Sequence, residues 1–398
     1  MFGVKCRWWV APMIMMAGVL TIACDPTPTA GRPTPSPNRD HTATRVVGYF
    51  PAWSIGARNY HVADIPAAKL THVIYAFADI SPAGECVSGY PKDDLVNLPQ
   101  LAALKLQYPR LRTLISVGGA TWSPHFAPAV GSRDARAHLA ASCVSLMSAG
   151  GFDGIDVDWE FPAGAHEKSE HADLLAALRV RLDDQGRQDG KPYLLTIAAP
   201  AGASHIADLD LPRISQTVDW INLMAYDFAT SKSPITNFSA PLHATSDDPP
   251  SDGGRLTHNT EAAVRAYRKA GVPPQAIVLG VPFSGHGWSS VPDQHDGLYQ
   301  PHTGIPPGTW ASDGVFDYRD LEQNYLPSYQ RHWHSQAEVP WLYSPGAGVM
   351  ISYEDPQSMR AKAAYVRADG LGGVMIWQLA ADDAQHSLVD ALVSVLSS

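Results

Sequence analysis

From Arg45 to the end of this 398-residue chain, short runs of β-branched and apolar residues alternate with Ala- and Leu-rich stretches of helical character. The strand-like runs fall at residues 46–50, 73–78, 113–117, 154–158, 194–199, 220–226, 277–281 and 373–377, and stretches such as 132–149, 167–184 and 260–270 read as helices. Strict alternation of this kind predicts a parallel sheet with helical crossovers, and eight repeats close it into a (β/α)8 TIM barrel rather than an open α/β sheet. One spacing breaks the rhythm. About 90 residues separate the seventh run from the eighth, and residues 283–348 are rich in aromatics, Gly, Pro and His without a long amphipathic helix. So many aromatic side chains need a core of their own, which predicts a small α+β insertion on the catalytic rim rather than a structureless loop.

The chain begins with Lys5 and Arg7, an apolar stretch over residues 8–23, and then Cys24. A run of about 16 apolar residues is short for a membrane span and suits the core of a signal peptide. Residues 1–23 are therefore expected to be removed, by a lipoprotein route that lipidates Cys24 or by ordinary cleavage, with an uncleaved anchor as the third reading. Either cleavage gives a secreted protein or an extracellular membrane-anchored lipoprotein. Residues 24–44 are rich in Pro and Thr and predict an extended tether ahead of one catalytic domain over 45–395. Cys86 and Cys143 then remain. An oxidising compartment permits one disulfide, a buried free Cys143 in an Ala-rich helix is the other reading, and spacing does not choose. The formal charge of −10 argues against a nucleic-acid backbone as partner and favours a neutral substrate. The domain is expected to be monomeric.

The most informative segment is Asp153-Gly154-Ile155-Asp156-Val157-Asp158-Trp159-Glu160. On a strand the side chains alternate, so Asp156, Asp158 and Glu160 share one face and Ile155, Val157 and Trp159 the other. Three carboxylates in a row inside a barrel are costly unless they share protons or are well hydrogen-bonded. Such a row also suits a divalent metal, but no compact His cluster accompanies it, so neither metal nor cofactor is expected. An acid at the C-terminal end of a barrel strand is where barrel enzymes do chemistry.

This segment resembles the signature DGxDxDxE of the family 18 glycoside hydrolases, the chitinases and their relatives. The likeness extends through Ser116-Val117-Gly118-Gly119, Met224-Ala225-Tyr226-Asp227, Gly280-Val281-Pro282-Phe283, Ile351-Ser352-Tyr353-Glu354-Asp355 and Trp377, covering about residues 45–395. The resemblance implies retaining hydrolysis of β-1,4-linked N-acetylglucosamine in chitin or chitooligosaccharides, with the substrate's acetamido oxygen as nucleophile. It makes Glu160 the acid, Asp158 the partner of the acetamido N–H, Asp156 the residue sharing a proton with Asp158, and Tyr226 the donor to the acetamido oxygen. It also makes Trp377 the floor beneath the cleaved sugar and Asp227 a sugar contact, with Met224 filling space near the acetamido group. Tyr49 and Phe77 are expected as walls, and Trp53 and Trp122 as flanking sugar platforms. Asp153, Ser116, Gly118 and Gly119 are expected to support the site structurally.

One departure stands out. Relatives with the insertion commonly carry a Tyr and an Arg where this chain has Ser284 and His286, which questions a polar contact at that place. Within the same family, an endo-β-N-acetylglucosaminidase acting on N-glycans and a non-catalytic chitin-binding protein are the alternatives, the second usually marked by loss of the residue that is Glu160 here. The insertion is expected to deepen the groove and favour release of chitobiose from chain ends.

Overall fold

The computed structural model describes residues 44–249 and 254–397, so the expected targeting segment and all but the last residue of the tether lie outside the described residues. Eight parallel strands, Arg45–Pro51, His72–Ile80, Arg112–Gly118, Gly154–Asp158, Leu194–Pro200, Trp220–Met224, Ile277–Pro282 and Gly373–Trp377, pair in sequence order. The eighth then pairs with the first, closing the barrel. Helices follow the strands and cover the outside. Their ends carry the expected signals: Ser132 Oγ accepts from Ala135 N at 3.1 Å, Asn259 Oδ1 accepts from Ala262 N at 2.9 Å, and Asp355 caps a helix that starts on Pro356. Each such cap is worth about 1 kcal/mol.

Period-2 alternation divides the apolar residues between two cores. Outward-facing side chains such as Ile155, Val157, Ile197 and Ile221 pack against the helices. Inward-facing ones, among them Val47, Tyr49, Ile74, Leu114, Trp220, Val278 and Met375, fill the barrel. Trp159 follows the outward set, stacking on Phe126 at 5.1 Å with ring planes 9° apart. In register across the third, fourth and fifth strands, Ser116 faces Asp156 and Asp156 faces Thr196, which puts a polar layer at the heart of the otherwise apolar interior.

A short strand absent from the sequence reading, Cys86–Ser88, adds antiparallel to the edge of the second barrel strand. Cys86 is bonded to Cys143 in the helix Arg133–Ala149, resolving the two readings that spacing had left open. Between the seventh and eighth barrel strands lies a second sheet of five antiparallel strands, ordered Val315–Asp317, Ser284–Ser289, Val349–Ser352, Val339–Ser344 and Gln330–His334. Its last strand in sequence runs past residue 348, where the sequence reading ended the insertion, because Val349–Ser352 pairs on both sides within this sheet. Trp288, Trp341, Tyr343 and Met350 give it a core, joined by Phe238 from the loop after the sixth barrel strand. Arg58, in the loop after the first barrel strand, pairs with Asp317 and lies over the Trp310 ring at 5.0 Å, tying the sheet to the barrel rim.

The disulfide joins residues 57 apart in sequence. In the chain-entropy account such a closure stabilises by about 4 kcal/mol. Replacing both Cys86 and Cys143 by Ser should therefore cost about 2–4 kcal/mol in chemical denaturation. An unchanged midpoint would show that the bond contributes nothing to folding.

Candidate active site

The fourth barrel strand carries Asp156 and Asp158 inward, and the chain leaves it so that Glu160 reaches the open C-terminal end. Asp156 is fully buried and accepts four hydrogen bonds. Tyr49 Oη and Ser116 Oγ each donate to Oδ2 at 2.7 Å, while Thr196 Oγ1 at 2.6 Å and Asn222 Nδ2 at 3.2 Å donate to Oδ1. Burial pushes its pKa up, and these four donors, Thr196 and Tyr49 foremost, work against that rise. The amide of Asn222 is itself oriented, since Trp220 Nε1 donates to its Oδ1 at 2.9 Å.

Asp158 has the opposite surroundings. Its Oδ1 is buried with no hydrogen-bond partner among the described residues. Burial first, and then the charges of Glu160 and Asp156, push its carboxyl well above the usual range. Glu160 is half-buried and pushed up to about 7, by burial first and then by the Asp227 charge, with a hydrogen bond from the Ala120 backbone acting the other way. Its own backbone N–H donates to Ser123 Oγ at 2.7 Å, and Ser123 Oγ donates to the Asp158 carbonyl at 3.2 Å. One hydroxyl thereby fixes the chain between the two acids.

The two glycines expected beside the acids are required by close approach and by left-handed backbone. Gly118 has φ +105°, and a Cβ there would meet the Asp158 carbonyl oxygen at 2.4 Å; Gly119 has φ +76°, and a Cβ would meet the Phe77 ring at 2.7 Å. The Ala76–Phe77, Glu160–Phe161 and Trp377–Gln378 peptides are cis.

Glu160, Asp158, Tyr49, Met224, Tyr226, Asp227 and Trp377 line one cavity, open to solvent, together with Ala120, Ala198 and Met375. Tyr226 keeps its proton firmly, through burial and the surrounding acids, Asp227 first among them. It is a donor at any ordinary pH. Asp227 sits at φ +58° with its side chain half-exposed, and His286 Nε2 lies 2.9 Å from its Oδ1. The inserted sheet thus reaches the site through His286, although Ser284, on the same strand, has no such contact described.

Trp377 meets Tyr49 edge-on at 5.5 Å and stacks with Phe77 at 6.0 Å. From Phe77 a row of rings continues through Trp53 at 6.1 Å and Tyr90 at 5.1 Å to Trp122 at 5.3 Å. Phe77, Trp53 and Trp122 therefore flank the cavity rather than line it. Asp153 is away from the cavity, accepting from Thr113 N at 2.9 Å and pairing with Lys105. The sequence reading did not single out Thr196, Asn222, Ser123, Ala120 or Tyr90. Asn222 had a signal, being a lone amide in the apolar run Trp-Ile-Asn-Leu-Met.

A closed parallel barrel with an acid raised toward neutrality just beyond its fourth strand, and a donor phenol and an indole lining the same cavity, has the makings of a glycoside-cleaving site. A family model described as "Glycosyl hydrolases family 18" matches residues 45–382, and the chain belongs to that family. Chitinase A1 of Niallia circulans is 37% identical, aligned over 85% of this chain and 56% of its own length. Chitinase 1 of Aphanocladium album is 35% identical over 84% of this chain and 80% of its own. Among solved structures, Chitinase ChiA74 from Bacillus thuringiensis superposes with a TM-score of 0.82 at 34% identity, covering 88% of this chain and 70% of that one. The chain spans little more than half the length of Chitinase A1.

A group that must be protonated to act as an acid is competent below its pKa and lost as pH rises through it. For Glu160, kcat/KM should therefore fall as pH rises through about 7. Asp227→Asn removes the neighbouring charge that raises Glu160, so this basic limb should move to lower pH. A pH–rate profile of the two proteins checks both, and a limb that stays in place would remove Asp227 from the electrostatics of Glu160.

Proposed function

We propose that this chain is a chitinase that hydrolyses β-1,4-linked N-acetylglucosamine with retention of configuration, the substrate supplying its own nucleophile. The observation that carries the proposal is the division of labour among the acids. Glu160 is raised toward neutrality at the cavity mouth, while Asp158 presents a buried oxygen that has no partner of its own. An oxygen of that kind suits a buried N–H of the ligand, here the acetamido N–H of the sugar. With that N–H held and Tyr226 donating to the acetamido oxygen, the oxygen is aimed at the anomeric carbon.

As the acetamido oxygen bonds to the anomeric carbon, the glycosidic C–O bond breaks and its electron pair takes the proton of Glu160. The ring that forms is positively charged, and an Asp158 carboxylate beside its N–H offsets that charge once the Asp158 proton has passed toward Asp156. Water, giving a proton to the Glu160 carboxylate, then attacks the same carbon and opens the ring. Two displacements restore the β configuration. Trp377 offers an apolar face for the pyranose, and the row through Phe77, Trp53, Tyr90 and Trp122 continues that surface along a polymer. The names of the relatives support chitin as substrate, and the inserted sheet beside the cavity supports a walled groove that releases mainly disaccharide.

Glu160→Gln should fold and bind chitooligosaccharide yet lose ~10²–10⁴-fold in turnover. The wild-type protein should release soluble sugar from chitin with the β-anomer first. Near-normal turnover in the variant, initial α-anomer, or sugar released only from glycoproteins would each defeat the reading.

We also propose that the protein is exported, which the Cys86–Cys143 bond supports, since such bonds persist in oxidising compartments. Mass spectrometry of the mature protein should find an N-terminus at Cys24 carrying a lipid. An unmodified terminus elsewhere beyond the apolar stretch removes the lipid anchor, and an intact Met1 on protein found in the cytoplasmic fraction removes the export itself.

A further inference from the structure

We propose that His286 is a positioning residue that holds the Asp227 carboxylate at the cavity rim, where its negative charge acts on the catalytic acid. The inference rests on the reading of Glu160 as that acid. Asp227 directly follows Tyr226, its backbone is left-handed at φ +58°, and its side chain is 55% exposed. An exposed carboxylate at the end of a strand has several rotamers open to it, and ordering it costs free energy unless a rigid partner holds it. His286 is that partner, with Nε2 at 2.9 Å from Oδ1 and a side chain only 10% exposed.

The sequence Ser284-Gly285-His286-Gly287-Trp288 explains why His286 is rigid. Side chains alternate on this strand, and a Cβ at Gly285 would meet the Ser352 carbonyl at 2.5 Å, one at Gly287 the Phe316 ring at 2.7 Å. The glycine face is packed shut, and the opposite face offers His286 to Asp227. The backbone of His286 is pinned between Val315 and Ser352.

The same surroundings choose the tautomer. His286 Nδ1 is buried without a partner, so a proton there would be stranded, whereas a proton on Nε2 meets a carboxylate. The nitrogen that meets the carboxylate is therefore Nε2, acting as a donor. The groups that interact with Glu160 or share its cavity are Asp158 from the fourth strand, Tyr226 and Asp227 just after the sixth and Tyr49 from the first, with Asp156 beside Asp158. On the inserted sheet neither Val315 nor Ser352 ionises, and Asp317 with Arg58 and Arg319 forms a separate cluster. Within this set, a fixed charge placed at position 286 would act on Glu160 through the Asp227 field.

The test compares pH profiles of kcat/KM on a soluble chitooligosaccharide for the wild type, His286→Ala, His286→Gln, His286→Arg and Asp227→Asn, each checked for folding by thermal denaturation. His286→Ala should raise KM about fivefold, the loss expected for one ordinary net hydrogen bond, and His286→Gln, a neutral donor, should recover most of it. His286→Arg sets a permanent positive charge against Asp227 and should move the basic limb to lower pH by about half a unit, the direction expected for Asp227→Asn. A limb that moves in Asp227→Asn but stays in place in His286→Arg overturns the role given to His286 and spares the Glu160 reading. An equal shift in His286→Gln and His286→Arg, or an unchanged KM in His286→Ala, also overturns it. A limb unmoved even in Asp227→Asn removes the Asp227 field from Glu160, and with it the role given to His286, while the Glu160 reading stands or falls on the turnover of Glu160→Gln.

Discussion

Four hydrogen bonds to one carboxylate hold the centre of this molecule together. Asp156 has no contact with solvent, and an ionised group so placed costs several kcal/mol unless its oxygens are fully satisfied. The donors come from the first, third, fifth and sixth strands, so the carboxylate stitches half of the barrel wall from within. That arrangement also gives the neighbouring acid its character. With Asp156 caged and Asp158 left without a partner for Oδ1, the two carboxyls differ sharply although they sit two residues apart on one strand. A pair so unequal can pass a proton in one direction and take it back, which is what the proposed cycle asks of it.

Above this pair, the geometry is held by small parts in short reach. The Ser123 hydroxyl spans Glu160 and Asp158, and the two left-handed glycines let the third strand's end lie against the Asp158 carbonyl and the Phe77 ring. The inserted sheet contributes from the other side. It has its own aromatic core, is tied to the barrel rim at Arg58, Asp317 and Trp310, and extends one imidazole to the cavity. A wall anchored in this way is a fixed surface, and the carboxylate it holds belongs electrostatically to the site.

The acidic strand was legible because both of its determinants are local: a period of two sets the shared face, and adjacency in sequence sets the spacing. The eight-fold alternation was legible for the same reason. The cage around Asp156 was not, because Thr196 and Asn222 lie 40 and 66 residues away and become neighbours only through strand register. The outsized gap before the eighth strand revealed that something is inserted there, but not that its strands pair out of sequence order, nor that Val349–Ser352 completes the sheet. The pairing of Cys86 with Cys143 depended on the short strand Cys86–Ser88, whose three residues carry too little pattern to be read. His286 was noticed as a departure, yet its partner Asp227 became visible only when the two chain segments were brought within 2.9 Å.

The unpartnered oxygen of Asp158 has a consequence for how tough this protein can be. A folded chain gains by satisfying every buried polar atom, and here one is left wanting in the wall of the cavity. The protein is thus less stable empty than its packing allows, by the desolvation cost of one acceptor, about 1–3 kcal/mol. In the proposed cycle the acetamido N–H of the substrate would repay that deficit, so resistance to heat and grip on sugar would draw on the same atom. Any substitution nearby that offered this oxygen an internal donor would harden the empty protein and blunt it as a catalyst, which sets a limit on how far selection for ruggedness can go at the floor of the cavity.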